Sequence, residues 1–96
     1  LYYGGQPGDV VFLLAAADTG PSALPGLFAA DIGNNFTSLF HLATRTVPSK
    51  GWDVVNIPFP AVPTGTLFHF QGLVLEVQNP VLPLTSTTVE TKTVLF

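Results

Sequence analysis

The clearest strand of the sequence is its last segment, Thr87-Thr88-Val89-Glu90-Thr91-Lys92-Thr93-Val94-Leu95-Phe96. Thr and Val favour extended backbone, and successive side chains of a strand point to opposite faces. Val89 therefore lies on one face, and Glu90 and Lys92 lie on the other. This pattern predicts a half-solvated outer strand whose two charges discourage stray pairing with other strands.

Further strands are predicted upstream wherever Val, Leu, Phe and Thr accumulate between turn signals. Nine Gly and nine Pro are spread along the chain, so no window suits an uninterrupted amphipathic helix. The predicted strands are Leu1–Tyr3, Val10–Ala17, Phe36–Thr44, Trp52–Phe59, Thr66–Val77 and Thr87–Phe96, with a short one near Leu27–Ala30. The turn signals are Gln6–Asp9, Asp18–Pro21, Gly33–Asn35, Pro48–Gly51 and Pro63–Gly65. This spacing predicts an all-β fold, an antiparallel β-sandwich or jelly roll.

The length of the chain limits the number of domains, and its charge limits the kinds of partner that it can bind. Ninety-six residues predict a single domain over residues 1–96. Only 9% of the residues are charged, against roughly 25% in ordinary soluble domains. A formal net charge of −3 has the wrong sign for neutralising phosphates, so we expect no nucleic-acid partner. So few charges leave apolar surface exposed, and we expect other subunits to cover part of it.

Two residue types are missing, and both absences inform the expected setting. Without cysteine the chain has no disulfide, thiolate metal site or cysteine nucleophile. The chain contains no methionine and begins at Leu1, so we expect a processed product or a segment of a longer protein, in keeping with export. The longest apolar run, Val10–Ala17, is shorter than the roughly 20 residues of a membrane-spanning helix. We therefore expect an extracellular or cell-surface protein without a membrane span.

The histidines, the serines and one glycine-rich segment lack the neighbouring residues that a catalytic or phosphate-binding site would require. His41 and His69 lie in apolar strands with no third ligand or catalytic partner nearby, which predicts structural histidines. No Gly-x-Ser-x-Gly elbow surrounds any serine. Gly4–Gly8 is rich in glycine but lacks the Lys-Ser/Thr of a phosphate loop. We predict a non-enzymatic protein with no catalytic residue, no metal and no cofactor.

One loop offers two alternatives to a plain turn. Asp31, followed by Asn34 and Asn35, could gather a calcium ion, although Asx turns around Gly33 explain the same residues better. Asn35-Phe36-Thr37 also fits the acceptor pattern for N-glycosylation, at a predicted junction of loop and strand.

Three aromatic residues suggest a binding surface. Trp52, Tyr2 and Tyr3 could form a platform that stacks on sugar rings. A lone tryptophan in a small sandwich is more typical of a core or interface anchor, so both readings stay open.

Three segments together resemble a β-sandwich domain of large exported proteins of environmental bacteria. They are Gly5-Gln6-Pro7-Gly8 before an apolar strand, the strand from Trp52 that closes in Ile57-Pro58, and Thr66-Leu67-Phe68-His69-Phe70-Gln71-Gly72-Leu73-Val74-Leu75. The resemblance covers most of the chain and implies a sandwich fold and export, with no catalytic residues. Those domains have a fuller strand before the Pro-Gly turn, where this chain has only Leu1-Tyr2-Tyr3. In this respect the chain is similar to pilus-type subunits that a neighbour's strand completes.

The chain ends suggest how copies could associate. Leu1, Tyr2 and Tyr3 form a short apolar strand, and Val94, Leu95 and Phe96 end the last one without a polar tail. We expect these six residues to form an assembly interface, with a strand from a neighbouring subunit completing the sandwich. The predicted function is a structural subunit of an extracellular filament or surface assembly, in which copies form a head-to-tail homopolymer. The alternative is a carbohydrate-binding or adhesion module of a larger exported protein.

Overall fold

A computed structural model describes residues 2–56, 62–77, 80, 82 and 84–93. These residues form nine strands and no helix, so none of them belongs to a helix that is long and apolar enough to cross a membrane. The strands are β1 (Tyr2–Gly4), β2 (Val10–Ala16), β3 (Thr19–Leu24), β4 (Phe28–Ile32), β5 (Leu39–Thr46), β6 (Trp52–Val54), β7 (Leu67–Leu75), β8 (Thr85–Ser86) and β9 (Glu90–Thr93). Every pairing between them is antiparallel, which confirms the predicted all-β antiparallel class.

A five-stranded sheet forms the centre of the described part. Its order is β5-β2-β7, and both β8 and β9 pair with the far side of β7. The middle strand, β2, consists only of apolar residues and is mostly buried along its length. A continuous apolar run of this length is typical of a strand that is covered on both faces. The strand predicted at Val10–Ala17 is thus the centre of the sheet.

Two small sheets cover the two faces of the central one. On one face of β2, Val11 and Leu13 belong to a buried cluster that also contains Tyr3, Val47 and Val55. On the other face, Leu14 and Ala16 pack in a second cluster with Ala30, Ile32 and Leu73. The β1–β6 pair supplies Tyr3 to the first cluster, and the β3–β4 pair supplies Ala30 and Ile32 to the second. Alternation along β2 therefore produces two separate cores.

The turn predicted at Asp18–Pro21 was wrong, because this region begins strand β3. The β3–β4 ladder is irregular between Thr19 and Ser22, where Gly20 has φ +109°. Pro21 can lie in this stretch because an irregular ladder does not require its missing N–H. The short strand predicted at Leu27–Ala30 exists as β4, starting at Phe28.

The strand predicted at Phe36–Thr44 begins later, at Leu39. Asn34, Asn35 and Phe36 have φ values of 47°, 56° and 67°, and this left-handed turn cannot continue a strand. The hydroxyl of Ser22, which is fully buried, accepts the N–H of Phe36 at 2.9 Å and holds the turn in place.

The other predicted strands differ in their ends. The strand from Trp52 ends at Val54, and residues 57–61 lie outside the described part. The long strand predicted at Thr66–Val77 spans Leu67–Leu75. The final segment is interrupted: β8 lies before Thr87 and β9 begins at Glu90, because Thr87 exchanges hydrogen bonds with the backbone of Gly72 instead of continuing the ladder. Residues 94–96 lie outside the described part, as does residue 1.

Candidate functional site: open strand edges and an exposed aromatic surface

The central sheet ends in an open edge on each side. Among the described residues, β5 pairs only with β2, whereas β8 and β9 pair only with β7. An edge strand presents a row of backbone N–H and C=O groups that can pair with a strand of another chain. These two edges are the first feature of the molecule that suggests a function.

The β5 edge is regular only in its second half. The register runs evenly from Ala43 to Thr46 against β2 and shifts at Leu42, which has no opposite residue and forms a bulge. Beside the bulge, the ring Nε2 of His41 hydrogen-bonds the Thr44 hydroxyl at 2.8 Å. Arg45 is exposed and donates to the Thr44 carbonyl at 3.1 Å. No carboxylate lies within ion-pair distance of Arg45 among the described residues.

The opposite edge, β9, consists of four exposed polar residues. Lys92 and Glu90 form an ion pair at 2.7 Å on one face. On the other face, Nδ1 of His69 hydrogen-bonds the Thr91 hydroxyl at 2.8 Å. Both histidines thus pair with threonine hydroxyls. In the part of the chain that the structure describes, no three His, Asp or Glu side chains are grouped so that they could hold a metal ion.

A groove runs between β1 and the segment that joins β8 to β9. One side is β1, the other is Thr87–Glu90, and Val11, Leu13 and Phe70 are among the residues at its floor. Its volume is about 350 Å³, near the lower end of ligand pockets, roughly 300 to 1,000 Å³. The groove follows the side of β1 that no described strand pairs with, since β1 pairs only with β6.

Gln71 forms part of one wall of this groove, and no sequence pattern marked it as a candidate site residue. Its side chain is buried; Oε1 accepts the Asp31 N–H at 2.7 Å, and Nε2 donates to the Thr87 carbonyl at 2.8 Å and to Asp31 Oδ2 at 3.1 Å. One amide thus joins β7 to β4 and to the segment between β8 and β9. The only signal in the sequence was a lone polar residue between Phe70 and Gly72.

The outer face of the β1–β6 pair carries an aromatic surface. Tyr2 is 78% exposed and Trp52 is 49% exposed, and their ring centroids are 6.1 Å apart at an interplanar angle of 47°. The two residues are diagonal neighbours, because Gly4 is opposite Trp52 and Tyr2 is opposite Val54. Nζ of Lys50 lies 4.5 Å from the Trp52 ring centroid, a cation–π contact.

The predicted aromatic trio is only partly assembled. Tyr3 points to the opposite face from Tyr2 and is buried in the core, so the exposed surface consists of Tyr2 and Trp52 with Lys50. Of the six residues expected at an assembly interface, Tyr2 is exposed and Tyr3 is not. Leu1, Val94, Leu95 and Phe96 lie outside the described residues.

Asp31 lies in β4 and not in the loop, and a hydrogen bond from β7 accounts for the position of its side chain. The Asp31 carboxylate accepts from Gln71, and Asn34 and Asn35 occupy the left-handed turn. Asn35 is exposed, and the Thr37 hydroxyl donates to the Asn34 carbonyl at 2.7 Å. Glycosylation of Asn35 stays a prediction.

Comparison of the chain with protein-family models, with curated protein sequences and with solved structures gives no match.

Proposed function

We propose that this protein is a structural subunit of an extracellular filament or surface assembly, which polymerises by β-strand addition and apolar contacts. The observation that carries the proposal is that, among the described residues, the central sheet has an open edge at β5 on one side and at β8 and β9 on the other. Because these edges differ, a contact between them is heterologous, and repeated heterologous contacts that do not close build fibres.

Exposed apolar side chains support the same proposal. Large hydrophobic residues with more than a third of their surface exposed occur on several elements: Tyr2, Leu24, Leu27, Phe36, Phe40, Trp52, Val54, Leu67, Val77, Leu82 and Val89. A surface this apolar, in a chain with 9% charged residues, gains from being covered by a partner. In the proposed assembly a strand of a neighbouring copy joins an edge of the central sheet and completes a jelly-roll-like sandwich, with Leu1–Tyr3 and Val94–Phe96 as further contact residues.

Assembly itself is the property to measure first. We expect negative-stain electron microscopy of the purified protein to show regular fibres, and light scattering over a dilution series to show that they persist down to a critical concentration. A dispersed species of about the 10.2 kDa chain mass at every concentration would contradict the proposal.

The Tyr2–Trp52 surface favours a second candidate function, a carbohydrate-binding or adhesion module. Exposed aromatic faces offer apolar area that the C–H face of a sugar ring can cover. Because Trp52 is the only tryptophan, its fluorescence reports this surface alone.

For this second function we expect soluble oligosaccharides to shift the Trp52 emission saturably, and Tyr2→Ala to weaken binding about tenfold, since it removes half of the aromatic area. The matched control is Phe40→Ala, which removes an exposed ring on β5 and should leave binding unchanged. The titration is done at a dilution where scattering shows a monomer. Equal effects of the two variants, or no emission change with any sugar, would argue against a glycan site.

A further inference from the structure

We infer that the outer edge of β9 pairs antiparallel with the outer edge of β5 of the next copy, with Glu90 opposite Arg45. This inference rests on the proposed assembly function and specifies its contact. The occupant of each edge is therefore a second copy of this chain, and the arguments are strand direction, side-chain face and charge.

Strand direction permits this pairing without reversing either copy. β5 is antiparallel to β2, β2 to β7, and β7 to β9, so β9 and β5 run in opposite directions within one molecule. A copy moved along the hydrogen-bonding direction of the sheet, and also by about four residues along the strands, keeps its strand directions. This offset is the one from Val11, which is level with Arg45, to Ala15, which is level with Glu90. The β5 of the moved copy then lies antiparallel to β9 of the first copy, and the sheet continues from copy to copy as one antiparallel ladder.

The faces of the side chains restrict the register. Arg45 is opposite Val11, Glu90 is opposite Phe70, and Phe70 is opposite Ala15. Val11 and Ala15 lie four residues apart in one strand and so share a face, which places Arg45 and Glu90 on that face too. A register with Glu90 opposite Arg45 therefore keeps every side chain on its own side of the sheet, whereas a shift by one residue reverses the faces.

Charge selects among the registers that keep the faces. In the proposed register Glu90 is opposite Arg45, Thr91 opposite Thr44, and Lys92 opposite Ala43. Moving β9 by two residues one way puts Lys92 opposite Arg45, and like charges directly opposite destabilise a sheet. Moving it by two residues the other way puts Thr91, within β9, opposite the bulge at Leu42, whereas the proposed register brings only Thr93, the last residue of β9, to the bulge. The proposed register also supplies Arg45 with a carboxylate, which it lacks among the described residues of its own copy.

Engineered cysteines test the register directly, because the chain has no cysteine of its own. Within one copy, β2 and β7 separate β5 from β9, so Thr44 and Thr91 are at least roughly 14 Å apart at the usual strand spacing. This is beyond the roughly 7 Å limit for a disulfide. The double variant Thr44→Cys/Thr91→Cys should therefore give a ladder of covalent multimers on mild oxidation. Each single variant should stay monomeric on a denaturing gel, and an equimolar mixture of the two should give covalent dimers.

The results separate this inference from the proposed function. Scattering that shows assembly without a covalent ladder from the double variant would overturn the register and leave strand addition intact. Covalent dimers from Thr91→Cys alone would overturn it in favour of a β9–β9 contact. Wild-type protein that never scatters above a monomer would instead contradict the assembly function itself.

Charge exchange provides an independent test. Glu90→Arg places two cations opposite each other, and Arg45→Glu places two carboxylates, so each variant alone should raise the critical concentration for assembly about tenfold. Mixed in equal amounts, the two variants can alternate, since every contact then joins opposite charges, and assembly should recover. The exchanged double variant Glu90→Arg/Arg45→Glu should recover as well. Circular dichroism checks that the single variants are folded. If they are folded and their mixture does not recover assembly, the inference is overturned.

Discussion

Gly33→Ala is expected to destabilise the folded protein by about 3 kcal/mol, a large part of the stability of a domain of this size. Gly33 has φ +100°, and a Cβ there would lie 2.7 Å from the Ser22 hydroxyl and 2.8 Å from the Leu39 Cβ. The backbone conformation alone costs alanine about 1 kcal/mol. Overpacking adds about 1 to 3 kcal/mol, because Ser22 is fully buried and has no room to retreat.

Gly26→Ala is the matched control for this prediction. Gly26 has φ +79°, but a Cβ there meets nothing within 4 Å, so only the backbone cost of about 1 kcal/mol applies. Urea unfolding followed by circular dichroism, at a dilution without assembly, gives both free energies of unfolding. Equal losses in the two variants would show that the space around Gly33 is not as tight as the structure has it.

Gln71→Glu is expected to make the stability depend on pH and to cost about 3 kcal/mol at pH 7. The introduced carboxylate has the shape of the amide, and one oxygen can still accept the Asp31 N–H. The other oxygen replaces an NH₂ that donates to the Thr87 carbonyl and to Asp31 Oδ2, so it faces two acceptors. Burial and these neighbouring oxygens raise the pKa of the introduced carboxyl in the folded protein.

The direction of the pH dependence follows from this raised pKa. The folded state of the variant binds the proton more tightly than the unfolded chain, whose glutamate has a pKa of about 4.3. The variant is therefore most stable below that pH and loses stability as the pH rises through the folded-state pKa. Urea unfolding at pH 4 and pH 7 measures the difference.

Two further variants separate the charge from the lost hydrogen bonds. Gln71→Leu removes the bonds without adding a charge, so its loss of about 1 to 3 kcal/mol should differ little between the two pH values. In Gln71→Glu/Asp31→Asn the new asparagine can donate to the introduced carboxylate, and part of the stability at pH 7 should return. The interpretation fails if the Glu and Leu variants respond alike to pH.

Much of the strand content could be predicted from the sequence. The apolar run Val10–Ala17 and the segment Thr66–Val77 are long enough for β-branched and aromatic residues to define strands without tertiary help. Strand predictions from neighbouring residues were wrong where the backbone hydrogen bonds depend on residues far away in the sequence. Pro21 and Gly20 read as a turn, yet they belong to β3 because β4 pairs with that stretch. Thr87–Val89 were predicted as strand, but Thr87 does not continue the ladder, because its carbonyl accepts from the Gln71 side chain and its hydroxyl accepts from the Gly72 N–H.

The candidate sites divide in the same way. Exposure of the charged residues Glu90 and Lys92 could be predicted from the sequence, because charged side chains are rarely buried. For Trp52 the sequence left a core role and a surface role open. Alternation states that Tyr2 and Tyr3 point apart but not which of them enters the core. Tyr3 is the buried residue because the pair formed by β1 and β6 packs on the central sheet with Tyr3 facing Val11 and Leu13.

The sequence by itself determined that the chain folds into antiparallel strands, because strand propensity, alternation and turn residues are properties of neighbours in the chain. Only the tertiary structure decided the strand order, and with it the two edges of the central sheet, β5 and β9, that no other strand of the described part covers. Strand order results from packing between residues far apart in sequence. For the same reason the buried role of Gln71 and the common face of Arg45 and Glu90 became visible only once β2, β5, β7 and β9 were placed side by side.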